Sequence, residues 1–182
     1  MNPVVALSFL ICLPLSGLDR TEEPPSVEVR VDQVKRDNDG VSLHLVVKNR
    51  GSEPVFFETD PLTTDSKGLH TVHVQQLSSA GSWIFVGPNV DVRPERVIKL
   101  NSGDSLRSTV YLVDPYTGPR GTRPSVPIGG RMHRVLVEYY LSEHDWQTYR
   151  AYIAKSHGRG KPPIEPKIAV SRTFEIPGAV AP

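Results

Sequence analysis

Cysteine is nearly absent from this sequence: Cys12 is the only one in 182 residues. A lone thiol closes no intrachain disulfide and builds no thiolate metal cluster, so neither a disulfide framework nor a zinc ribbon is open to the chain. An excess of one charge sign is missing too. Twenty-one Lys and Arg stand against 20 Asp and Glu, a formal +1, which is far from the basic bias of a nucleic-acid binder. The part up to Asp114 is net acidic and the remainder net basic, a polarity that suits two solvated faces. Long apolar runs are lacking after Leu18. The run before it is broken by Pro14 and falls short of the ~20 residues of a spanning helix, so no membrane span is expected. Helical periodicity is scarce as well. Seventeen prolines and 14 glycines punctuate the chain in a way that suits short strands joined by turns.

The apolar run Pro3–Leu18 sits at the amino terminus and is followed by polar sequence, the pattern of a secretory signal. Leu15-Ser16-Gly17 offers small residues near a cleavage point, although no Lys or Arg precedes the run. Residues 1–18 are therefore expected to be a signal peptide, 19–26 a proline-stiffened linker, 27–177 one folded domain, and 178–182 a tail. Export implies a secreted or periplasmic protein. Phe9-Leu10-Ile11 before Cys12 are too large for a lipidation site, and cleavage near Gly17 would remove the thiol.

From Val27 the hydrophobic period is two, as in half-buried strands. Val27, Val29 and Val31 alternate with Glu28, Arg30 and Asp32. Val41, Leu43, Leu45 and Val47 repeat the pattern beyond the turn Asp37-Asn38-Asp39-Gly40, where Gly40 could take positive φ. Further strands are predicted at Pro54–Glu58, Thr71–Leu77, Ser82–Val86, Arg96–Leu100, Leu106–Val113, Arg134–Leu141 and Ile168–Ile176. Ser142–Ala154 reads two ways. Ser142 and Asp145 could cap a helix carrying Trp146, Tyr149 and Ile153 on one stripe, but the aromatic and β-branched content tilts the reading to a strand. The expected core is Leu43, Leu45, Val47, Val55, Phe57, Trp83, Val110, Leu112, Val135, Val137 and Phe174. Two long loops, Asp114–His133 and Lys155–Lys167, interrupt the strands. Many short strands at this spacing predict an all-β fold, a sandwich or barrel.

The segments LVVKNRGSEPVFFE, SWIFV, VIKLNSGDSLRSTVYL, VLVEYYL and IAVSRTFEIP, in this order, resemble immunoglobulin-like β-sandwich domains of exported bacterial proteins. In such domains an Asn-x-Gly turn follows an early strand, and a leucine–turn–glycine element precedes a later one. The resemblance spans most of residues 27–177 and implies an immunoglobulin-like antiparallel β-sandwich. That fold hosts adhesion, assembly, inhibition and carbohydrate binding alike, so the resemblance brings no functional residue with it.

Motifs with chemistry fail on their surroundings. Gly103-Asp104-Ser105-Leu106 spells a hydrolase signature, yet no Asp stands three residues before any of the six histidines, and a serine without a base is a poor nucleophile. The expected role of Gly103 and Asp104 is a hairpin turn. His70 and His73 lie on opposite faces of a strand, so they cannot share a metal. Gly158-Arg159-Gly160-Lys161 lacks the spacing of a phosphate loop and runs into Pro162-Pro163, which have no backbone donors. No catalytic residue, metal or cofactor is therefore expected. What remains is a basic set near the two long loops: Arg120, Arg123, Arg131, Arg134, Arg159 and Lys161, with Trp146 close by. Cations beside aromatics suit a binding surface. The expected function is a non-catalytic binding module for a protein or an anionic envelope polymer. The alternatives are an assembly component that pairs through its sheet edges and, last, a hydrolase centred on Ser105.

Overall fold

Buried valines and leucines recur at every second position of two ten-residue strands, β1 (Val27–Arg36) and β2 (Gly40–Asn49). In β2 Val41, Leu43, Leu45 and Val47 are all at most 1% exposed. The two strands pair antiparallel, with a bulge between Val31 and Gln33 that ends the regular alternation of β1. The computed structural model describes residues 26–37, 40–59, 69, 71–87, 96–115, 126–156 and 160–178. The expected signal peptide and most of the linker lie outside these residues.

The other elements are β3 (Val55–Thr59), β4 (Val72–Leu77), β5 (Trp83–Gly87), β6 (Arg96–Leu100), β7 (Ser105–Val113), β8 (Arg131–Tyr139), α1 (Glu143–Ser156), β9 (Lys167–Val170) and β10 (Phe174–Ile176). They make an all-β fold of antiparallel sheets. One sheet has the order β1-β2-β7 and a second the order β10-β8-β4-β5, with β9 also paired to β8. The pair β3-β6 forms a third, and Phe56 of β3 bridges to Tyr140 beyond β8 through two backbone bonds of 2.9 Å. Side chains from all three sheets share one apolar core.

Gly40 departs from the expectation of positive φ. It opens β2 as a buried strand residue, and a Cβ there would meet the Tyr111 ring at 2.7 Å and the Leu112 backbone. Close approach of β7, not a left-handed turn, requires glycine. Asn101–Asp104 does form a turn, with Gly103 at φ 80°. It is not a hairpin, because β6 pairs with β3 and β7 with β2. Instead it adds to the β2–β7 ladder: Gly103 N donates to Asn49 O at 3.0 Å, and Asn49 N donates to Asp104 O at 3.0 Å.

Three further expectations are corrected. Residues 143–156 form a helix, not a strand: the Ser142 hydroxyl accepts from Asp145 N at 3.0 Å, and Ser142 O from Trp146 N at 3.3 Å. Glu143 and Asp145 in the first turn and Lys155 in the last complement the helix dipole. Capping and charge order thus outweigh the β preference of the aromatic side chains. The last strand is split. Ser171 N donates to Val135 O (2.8 Å) while its hydroxyl accepts from Val135 N (2.9 Å), and this local exchange separates β9 from β10. The third correction is to the core: Trp83 and Phe174 are half-buried, while the other nine expected residues are buried. His133, at 0% exposure, donates from Nδ1 to Arg131 O at 2.8 Å. Burial depresses its pKa and keeps the imidazole neutral.

Candidate functional site

The residues singled out in the sequence divide between separate places. Arg120, Arg123 and Arg159 lie outside the described residues. Arg131 is exposed at the start of β8 opposite Ile176. Lys161 is exposed and reaches Glu165 at 3.6 Å. Trp146 lies on α1 and Arg134 in the middle of β8, so the set forms no single basic patch among the described residues.

Arg134 belongs to the outer face of the second sheet. Strand alternation points Val135 and Val137 into the core and Arg134, Leu136 and Glu138 outward. Register then decides the neighbours. Arg134 faces Gln75, Leu136 lies between His73 and Val170, and Glu138 faces Ile168. The Arg134 Nε donates to Gln75 Oε1 at 2.9 Å, and its guanidinium lies 4.3 Å from the centroid of the Trp83 ring. One hydrogen bond and one ring thus hold the guanidinium plane while other N–H groups stay available. Beside it His73 Nε2 meets Glu138 Oε1 at 3.1 Å, and the His73 ring is edge-on to Phe85 at 6.0 Å. At the border Ile168 and Val170 are 56% and 48% exposed. Large apolar side chains open to solvent thus lie next to a fixed cation–aromatic stack.

The second place is beneath α1. Glu58 follows Phe57 on β3 and by alternation should face water, yet it is only 3% exposed, because the helix covers that side. Its Oε1 accepts from the Trp146 indole at 2.8 Å and from the Tyr140 hydroxyl at 3.5 Å. The Tyr140 and Tyr149 rings pack 5.8 Å apart. Burial raises the Glu58 pKa, and Arg150 and the indole bond only partly oppose the shift. Burial, then the Glu58 charge, pushes the Tyr140 hydroxyl upward as well. An open cleft of about 380 Å³ adjoins the helix start, lined by Tyr140, Asp145, Lys161 and Ile164 among others.

This carboxyl has a readable consequence. A raised folded-state pKa contributes stability that is complete below the unfolded value and is lost as pH rises through the folded one. Glu58→Gln keeps an acceptor for Trp146 and removes the ionisation. Its melting temperature should equal that of the wild type near pH 4 and exceed it increasingly toward neutral pH. Parallel curves across that range would show that Glu58 does not titrate in this way.

Among the described residues the remaining motifs meet no partners of the needed kind. Ser105 is exposed at the start of β7 opposite Lys48, and Asp104 is engaged by the Asn101 side chain at 3.2 Å. His44 faces Thr109 at 3.3 Å, and His70 is outside the described residues. Among the described residues no group of three His, Cys, Asp or Glu could hold a metal, and no helix is long and apolar enough to cross a membrane.

No family model matches the chain, and no curated protein matches it. Among solved structures it is similar to the putative ApaA protein from Bordetella pertussis, at 11% identity and TM-score 0.44 over 85% of this chain and 95% of that one. A structural-genomics target is 13% identical over 84% of each chain, with TM-score 0.35. A penta-heme cytochrome c552 from Thermochromatium tepidum is 10% identical over 84% of this chain and 40% of its own, with TM-score 0.41. At these identities and scores no function passes to this chain.

Proposed function

We propose that the chain is an exported, non-catalytic protein-interaction module of the immunoglobulin-like β-sandwich class, and that it meets its partner through the outer face of β5-β4-β8-β9. The sheet orders β1-β2-β7 and β10-β8-β4-β5 around a shared core support the sandwich. The apolar run Pro3–Leu18 supports export. The observation that carries the interaction is Arg134 held on Trp83 by Gln75 beside exposed Ile168 and Val170. Tryptophan and arginine dominate the energetics of protein interfaces, and burying a ring together with its stacked cation supplies area and direction at once.

The test is site-specific photo-crosslinking in the cell. A crosslinker at Ile168 should give a discrete protein adduct that Trp83→Ala abolishes. The same group at Thr109, on the outer face of the first sheet, should give none. Adducts from Thr109 alone would refute the assignment of the face, and adducts along a strand edge would favour assembly by strand addition. Protein recovered from an envelope or culture fraction should also have lost roughly its first 15–20 residues. Full-length protein confined to the cytosol would refute export.

A further inference from the structure

The outward residues of β8 are arranged symmetrically about Leu136. Arg134 lies two residues before it and Glu138 two residues after it, on the same face. At a strand rise of about 3.3 Å per residue, each charge sits roughly 7 Å from Leu136, with opposite sign. Among the described residues no carboxylate pairs with Arg134; its Nε goes to the neutral Gln75. Among the described residues the Glu138 carboxylate, 22% exposed, hydrogen-bonds only the His73 ring, which is charged only if protonated. Between and beside the two charges lie Leu136, Val170 and Ile168, the last two about half exposed.

We infer that this face is self-complementary and binds a second copy of the chain, with β8 packed antiparallel on β8 about a two-fold axis through Leu136, so that Arg134 meets Glu138 of the partner subunit twice. The inference rests on reading the face as the contact surface. An axis in the plane between the sheets and across the strands reverses β8 while keeping its neighbours in place. Leu136 then opposes Leu136 of the partner subunit, and Val170 opposes its own copy. An isologous interface needs this kind of pattern, in which residue i meets j and j meets i. Aligned sheets pack ~10 Å apart at an angle near 30°, which displaces the charges sideways by only about 3 Å, within reach of arginine and glutamate side chains. The apolar centre supplies contact area, and the two ion pairs set register and orientation.

Sedimentation of the domain over a dilution series should show a monomer–dimer equilibrium. Arg134→Glu alone places like charges opposite each other twice, as does Glu138→Arg alone; each should weaken the dimer by about tenfold or more. The double variant Arg134→Glu/Glu138→Arg should dimerise again, and an equimolar mixture of the two single variants should form a heterodimer. Far-ultraviolet circular dichroism checks that each variant is folded. Val170→Lys, at an exposed position, provides a second disruption that spares the charges. A wild type that stays monomeric throughout would overturn the inference, as would a dimer indifferent to both single swaps, or single variants that fail to complement each other. A monomeric wild type that still gives the Trp83-dependent adduct from Ile168 would remove the second copy and keep the contact face. Loss of both would remove the face itself.

Discussion

Replacing Asn49 with alanine should destabilise the domain by about 3 kcal/mol, a large share of the 5–15 kcal/mol that holds a typical domain. Asn49 ends β2 and is 0% exposed. Its Nδ2 donates to Glu53 O at 2.8 Å and to Leu100 O at 3.0 Å, and its Oδ1 accepts from Gly51 N at 3.0 Å. One side chain therefore satisfies three backbone groups in the turn to β3 and at the end of β6. Alanine leaves all three without that partner. Asn49→Asp is the sharper variant, since one carboxylate oxygen would take the place of Nδ2 and face two carbonyls, which should cost more than alanine. Urea unfolding of the three proteins is the measurement. A loss below about 1 kcal/mol for alanine would mean that water replaces the amide at little cost.

Phe57→Ala should cost about 3–5 kcal/mol. Phe57 is 0% exposed in the middle of β3 and packs against the Tyr139 ring at 6.1 Å. Its removal leaves a cavity between β3 and β8, where rigid strands on either side resist collapse. Val113→Ala, at a 59% exposed position, serves as the control and should stay within about 0.5 kcal/mol of wild type. If both variants melt alike, the cavity has closed or the ring is not where the packing places it.

Strand alternation explains why much of this fold was legible in advance. Leu43, Leu45 and Val47 point inward because a strand with one buried face has no other way to hide them. Local pattern fails where a second layer arrives from a distant part of the chain. Nothing around Glu58 in the sequence announces that α1 will cover it, and the Ser142 cap that creates α1 competes with an aromatic content that reads equally well as strand. Trp83 alternates like a core residue, but its ring leaves the core to stack under Arg134. Arg134 could be singled out as a cation near an expected ligand surface; Gln75 and Trp83 could not, because only register brings positions 59 and 51 residues earlier alongside it. The expected convergence with Trp146 and Lys161 rested on nearness in sequence, which an antiparallel sheet does not preserve.

The Arg36 guanidinium bonds the Asp114 carboxylate and donates to Pro177 O at 3.0 Å, across 141 residues of sequence. At the opposite end of β1, Ser26 meets the Tyr139 hydroxyl at 3.1 Å across 113. Both ends of the first strand are thus fastened by groups that emerge much later, and β9 and β10 reach β8 from beyond the α1 segment of the chain. Loop closures of that length are slow to find. The order of synthesis therefore delays tertiary closure, and a chain threaded through a translocation channel from its amino terminus would leave it before the clasp that completes its fold could form.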